Sequence, residues 1–161
     1  LPDDVEMTMM KNHSRRRFLT IAAAGALMTQ VRVANAVPRI EVLQPLVDKI
    51  TGGAPLQEGR VTLDIPQLSD NGHSVPMKIS IASPMSERDY VRTVHVLSEK
   101  NPRPVIATYH LNPQCGRAEI TTRVRLNGEQ RLLVIAAMSD GSFQAASASV
   151  IVTETACLDA S

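Results

Sequence analysis

The 161-residue sequence contains no tryptophan, two phenylalanines, two tyrosines and two cysteines. So few aromatic rings argue against an aromatic-lined ligand pocket, and two cysteines are too few for a disulfide scaffold. A concentrated basic face is also missing. Five of the seventeen Lys and Arg residues (Lys11, Arg15, Arg16, Arg17 and Arg32) precede residue 37, together with three acids. Beyond that point twelve basic residues face thirteen acidic ones, a net charge of −1. Binding to nucleic acid needs a basic footprint that this stretch does not offer. There is no internal repeat and no low-complexity segment. The length suits one domain with appendages.

What is present begins with an address. Ser14-Arg15-Arg16-Arg17-Phe18-Leu19-Thr20 is a twin-arginine sequence, and the weakly apolar Ile21-Ala22-Ala23-Ala24-Gly25-Ala26-Leu27-Met28 follows it. Ala34-Asn35-Ala36 then fits the small-x-small cleavage rule. The apolar run is far short of the roughly 20 residues that span a bilayer, so stable membrane insertion is not expected. In this order the three features predict a twin-arginine export signal over residues 1–36, with Ser14, Arg15, Arg16, Phe18 and Leu19 as its motif and cleavage after Ala36. Met10-Lys11-Asn12-His13 would be an ordinary signal start, which makes residues 1–9 an upstream extension. The mature chain would begin at Val37 in the oxidising periplasm, with 125 residues for one modest core. The twin-arginine route carries folded proteins, a hint that this one is exported with a partner already bound.

In the body, Ile40, Leu43, Val47 and Ile50 form a helical stripe. Gly52-Gly53 stops it, and Pro45 within it predicts a short or broken helix. From Gly59 the period changes to two. Strand segments follow at residues 61–65, 75–81, 90–97, 105–111, 120–126, 131–138 and 143–152, with clear alternation in 61–65 and 75–81. Turn signals separate them: Asp70-Asn71-Gly72, Ser83-Pro84, Lys100–Pro104, Asn112–Gly116 and Asp140-Gly141. Asn127-Gly128 is the signature of a tight hairpin. Seven short strands so spaced predict a mainly β fold, an immunoglobulin-like antiparallel sandwich with a short N-terminal helix and a flexible C-terminal tail. The sandwich would occupy residues 37–152 and the tail residues 153–161, running off a sheet edge. The Cys-Trp-Cys signature of antibody domains is absent.

Few side chains suggest catalysis. His73, His95 and His110 are scattered, without paired spacing or adjacent acids, and read as ordinary strand and turn residues rather than metal ligands. Gly52-Gly53 and Asp140-Gly141 lack the spacing of a phosphate loop. The tail is more informative: Cys157 lies among small and polar neighbours, with Glu154 and Asp159 nearby and no Lys, Arg or His among the last ten residues. Nothing local lowers its pKa, so it is not a pre-activated thiolate. A flexible tail also cannot hold the geometry of a thiol protease. A reachable thiol that a partner activates is a handle for loading. The alternatives are an idle cysteine and a Cys115–Cys157 disulfide, which would block the handle.

The body resembles the SoxY family, the sulfur-carrier subunit of the periplasmic Sox thiosulfate-oxidising system. The resemblance rests on stretches met in order: Ile50-Thr51-Gly52-Gly53, Asp70-Asn71-Gly72-His73-Ser74-Val75-Pro76, Ser83-Pro84-Met85, Glu99–Pro104, Gly116–Arg123 and Met138–Phe143. It implies a heterodimer with a SoxZ-like subunit and a sulfur compound carried covalently on Cys157. It also implies work with c-type cytochromes, a sulfate-releasing hydrolase and a sulfane dehydrogenase. The carrier would be no enzyme itself and would hold no redox cofactor. The sequence departs from the family where Thr155-Ala156 and Leu158-Asp159-Ala160-Ser161 flank Cys157 in place of glycines. Leucine adds bulk there and aspartate adds negative charge, whereas glycine is thin and free in its backbone.

Overall fold

The structure, a computed structural model, describes residues 40–154. The helical stripe divides as its proline requires. A single 3-10 turn, Glu41–Leu43, leads into helix α1, Gln44–Thr51, with Pro45 in the first turn, where no intrahelical bond needs its missing N–H. Gly52 ends α1 in the left-handed conformation, φ 65°.

Nine strands follow: β1 Leu56–Gln57, β2 Val61–Asp64, β3 Leu68–Asn71, β4 Val75–Ile81, β5 Val91–Ser98, β6 Val105–His110, β7 Ala118–Val124, β8 Gln130–Met138 and β9 Phe143–Glu154. One sheet runs β1-β9-β8-β5-β6, with β3 also paired to β9, and the other runs β2-β4-β7. All seven expected strand segments are strands, and the mainly β immunoglobulin-like sandwich is as expected. In β4 the side chains of Val75, Met77, Ile79 and Ile81 are buried and face the other sheet's Val94, Val96, Leu132, Val134 and Val150. The second core lies on the outer face of the larger sheet. There α1 and the residues before it place Ile40, Leu43 and Val47 against Leu97, Leu133, Ile135 and Ala145. Strand β8 feeds both cores, even-numbered residues inward and Leu133 and Ile135 toward the helix, so it reads as a near-continuous apolar run.

Three expectations need correction. Asn127-Gly128 does not close a hairpin, because β7 belongs to the small sheet and β8 to the large one, so the chain crosses between layers there. Asp70-Asn71 is not a turn. It is the end of β3, and the turn begins at Gly72. Nor does the chain leave from an open sheet edge. The pairing of β9 with β8 ends at Val150, and Ile151–Glu154 continue past it paired in parallel with β3.

Candidate functional site

Cys157, the twin-arginine residues Ser14, Arg15, Arg16, Phe18 and Leu19, and the cleavage site after Ala36 lie outside the described residues. The root of the tail lies within them. The last residues of β9 stay in register with β3, Leu68 opposite Ile151, Ser69 opposite Val152 and Asn71 opposite Glu154. The Ile151 amide donates to Gln67 O at 2.8 Å, and Thr153 Oγ1 donates to Asp70 O at 3.3 Å. Gly72 then closes the clamp. Its N–H donates to Glu154 O at 2.9 Å, and its carbonyl accepts from the Leu126 amide at 2.8 Å. The chain is therefore held up to Glu154, three residues before Cys157.

The loops around this root are cross-braced by polar side chains. Buried Ser98 donates to Gln130 Oε1, which also accepts from the Lys100 amide at 3.2 Å. Gln130 Nε2 donates to Asn101 Oδ1 at 3.1 Å, and Asn101 Nδ2 donates to Arg125 O at 2.8 Å. The loop after β5 and the crossover after β7 are thereby tied together. Beside them Arg131 pairs with Glu99 at 3.3 Å, and its side-chain hydrogen bond, ahead of any effect of its charge, holds the Glu99 carboxyl below the usual carboxylate range. Sequence reasoning missed this brace and the role of Gly72. The brace joins residues about thirty apart in sequence, and Gly72 was legible only as part of a turn. His73, exposed, follows Gly72 at the same root, so the fold brings a histidine near the tail although none is close to Cys157 in sequence.

Cys115 belongs to the other end of the sandwich. It ends a 3-10 turn, Pro113–Cys115, is exposed and free, and its Sγ lies 3.7 Å from Asn112 Oδ1. Strand β7 leads from there to the tail end over seven residues, about 20 Å of extended chain. Three residues beyond Glu154 reach at most about 11 Å, and a disulfide needs Cα atoms within about 7 Å. Cys115 and the clamped root of the tail thus lie at opposite ends of β7. Near the Cys115 end, Arg60 and Arg117 line a hollow with Ser80 and Ser83, but Arg60 is committed to Asp89 at 3.0 Å and to Ala82 O at 2.7 Å. His95 and His110 lie on adjacent strands β5 and β6, well apart from His73. Among the described residues no three His, Cys, Asp or Glu side chains come together as a metal site. No helix among them is long and apolar enough to cross a membrane.

An immunoglobulin-like sandwich that clamps its final strand, and whose next cysteine follows within three residues, defines a scaffold protein with a short thiol-bearing extension. The particular family follows from comparison: residues 47–157 match the model of the sulfur oxidation protein SoxY, and the chain belongs to that family. Among solved structures it is similar to the sulfur carrier protein SoxY from Chlorobium limicola f thiosulfatophilum, at 22% identity and a TM-score of 0.59, over 70% of this chain and 97% of that one. It is also similar to a putative superoxide reductase from Thermotoga maritima, at 14% identity and a TM-score of 0.53, over 62% of this chain and 95% of that one. A superoxide reductase (neelaredoxin) from Ignicoccus hospitalis follows, at 13% identity and a TM-score of 0.52, over 58% of this chain and 79% of that one. At these identities the structural likenesses describe the fold alone. Among curated proteins none matches the chain.

Proposed function

We propose that this protein is a periplasmic covalent sulfur carrier of thiosulfate oxidation, exported by the twin-arginine route, with Cys157 as the attachment site. The observation that carries the reading is the family match, which runs from the helix to Cys157 itself. In the first step the Cys157 thiol and thiosulfate are coupled oxidatively. A sulfur–sulfur bond forms to give an S-thiosulfonate, one proton leaves the thiol, and two electrons pass to the haem irons of a c-type cytochrome partner. A hydrolase then adds water to the terminal sulfur, releasing sulfate and two protons and leaving a persulfide anion on Cys157. Persulfides belong to the reversible modified states of cysteine. A sulfane dehydrogenase oxidises the remaining sulfur. The carrier performs none of these reactions; it needs exposure and reach, and the clamped root fits both demands. Its working form is a heterodimer with a SoxZ-like subunit.

A second reading is a carrier that serves another periplasmic dehydrogenase. Leu158 and Asp159, bulk and negative charge beside an anionic adduct, favour it. A sandwich with an idle cysteine is the third. Intact mass of protein from cells oxidising thiosulfate, before and after a thiol reductant, separates them. Reductant-labile sulfur, thiosulfonate or polysulfane additions on Cys157 are expected, with loss of thiosulfate-dependent function in Cys157→Ser. A bare thiol under those conditions overturns the carrier reading.

A further inference from the structure

Four large apolar side chains are exposed among the described residues: Val42, Leu68, Val105 and Ile151. Val42 and Val105 lie on different elements. Leu68 and Ile151, 59% and 47% exposed, are opposite each other in the β3–β9 ladder, so they share a face and form one patch. Packing does not explain them. Val150 and Val152 on either side of Ile151 point into the core, so Ile151 must face outward, where its neighbours in the same row are the exposed Ser149 and Thr153. Helix α1 and the residues before it cover the outer face around Leu97, Leu133, Ile135 and Ala145. An outward apolar pair beyond the helix's cover is the kind of surface that marks an interaction site.

We infer that Leu68 and Ile151 form the contact on which the c-type cytochrome that loads Cys157 docks, an inference that rests on the carrier reading above. The occupant follows from chain length. Cys157 is three residues past the clamped Glu154, so an active site that closes on the thiol must come within about 11 Å of that residue. Ile151 lies three residues before Glu154, about 10 Å along the strand. A standard protein–protein footprint, about 800 Å² per partner, covers both distances. The receiving protein therefore presents an apolar contact beside the channel that takes the tail. This body contact supplies affinity independent of the residues around Cys157, which suits a tail without glycines.

The test uses the full chain with its co-purifying subunit. Loading of Cys157 by the c-type cytochrome that couples thiosulfate is followed by intact mass as the carrier concentration is raised. For Leu68→Lys/Ile151→Lys the carrier concentration at half-maximal loading should rise tenfold or more. The rate at saturation and the rate of Cys157 alkylation by iodoacetamide should stay within twofold of wild type. Val42→Lys, at a still more exposed apolar residue on a different element, should load like wild type. If the double lysine variant melts earlier than wild type, Leu68→Ser/Ile151→Thr takes its place with the same expectation. Half-saturation within twofold of Val42→Lys overturns the proposal. So does loss of the partner subunit on gel filtration, which would assign the patch to the heterodimer interface. If wild-type protein takes up no adduct at any concentration, the carrier reading itself fails, a result distinct from either of these.

Discussion

A Cβ on Gly72 would lie 2.5 Å from Leu126 O, 2.8 Å from Val152 Cγ1 and 2.9 Å from Glu154 O. Two of those atoms are backbone, so the ladder that holds the tail root would have to part. Gly72→Ala should cost about 1–3 kcal/mol, as overpacking does, and lower the urea midpoint. An unchanged midpoint would mean that the clamp has slack. At the same scale, His95 is half-buried on β5, with Nδ1 3.2 Å from Thr108 Oγ1 and His110 diagonally across the ladder beside Thr93. Burial first, and the neighbouring His110 second, lower its pKa from the ordinary 6.5. Between the lowered value and 6.5 the unfolded chain binds more protons than the folded one, so stability rises with pH there. Stability should therefore be lost as pH falls below about 6.5, and His95→Gln should flatten that loss between pH 7.5 and pH 5 in urea titrations. Equal slopes in the two proteins would remove His95 as the cause.

Among the elements, β4 announced itself because it buries one face and the period of two records it, and β8 because burial on both faces makes it a continuous apolar run. Strand β3 did not. Leu68-Ser69-Asp70-Asn71 has no alternation and poor strand propensity, and its state is imposed by pairing with the end of β9. Asn127-Gly128 misled for a related reason: the turn chemistry is local, but which sheet each flanking strand joins is not. The brace of Ser98, Asn101 and Gln130 also depends on tertiary placement. Gln130→Leu would leave the Ser98 hydroxyl and the Lys100 amide without their acceptor, while Asn101 Oδ1 keeps the Asn127 amide. A loss of about 2–3 kcal/mol in chemical denaturation is expected, since each buried polar group left unpaired costs about 1–3 kcal/mol. A neutral result would show that water replaces the glutamine.

At the scale of the molecule, the sandwich separates Cys115 from the root of the tail by its own length. Cys115 belongs to the end where β7 begins and the tail root to the end where it finishes. Protein treated with a mild oxidant should yield no peptide pair joined Cys115 to Cys157 within one chain, and both thiols should alkylate in the native state. Recovery of that intrachain pair would require the tail to lift off β3 and would contradict the clamp.

By itself the sequence determined what depends on local pattern: the strands, the helix broken at Pro45, the β-sandwich class and the ordered stretches that mark the SoxY family. Tertiary structure decided what depends on contacts between distant segments. It chose the sheet for β7 and for β8, turned Leu68–Asn71 into a strand, made Gly72 the closure of the clamp and put Cys115 at the end of β7 away from the root of the tail. The physical reason is that periodicity reports which face of an element is buried, whereas pairing partners and close backbone approaches are set by the whole chain packing at once.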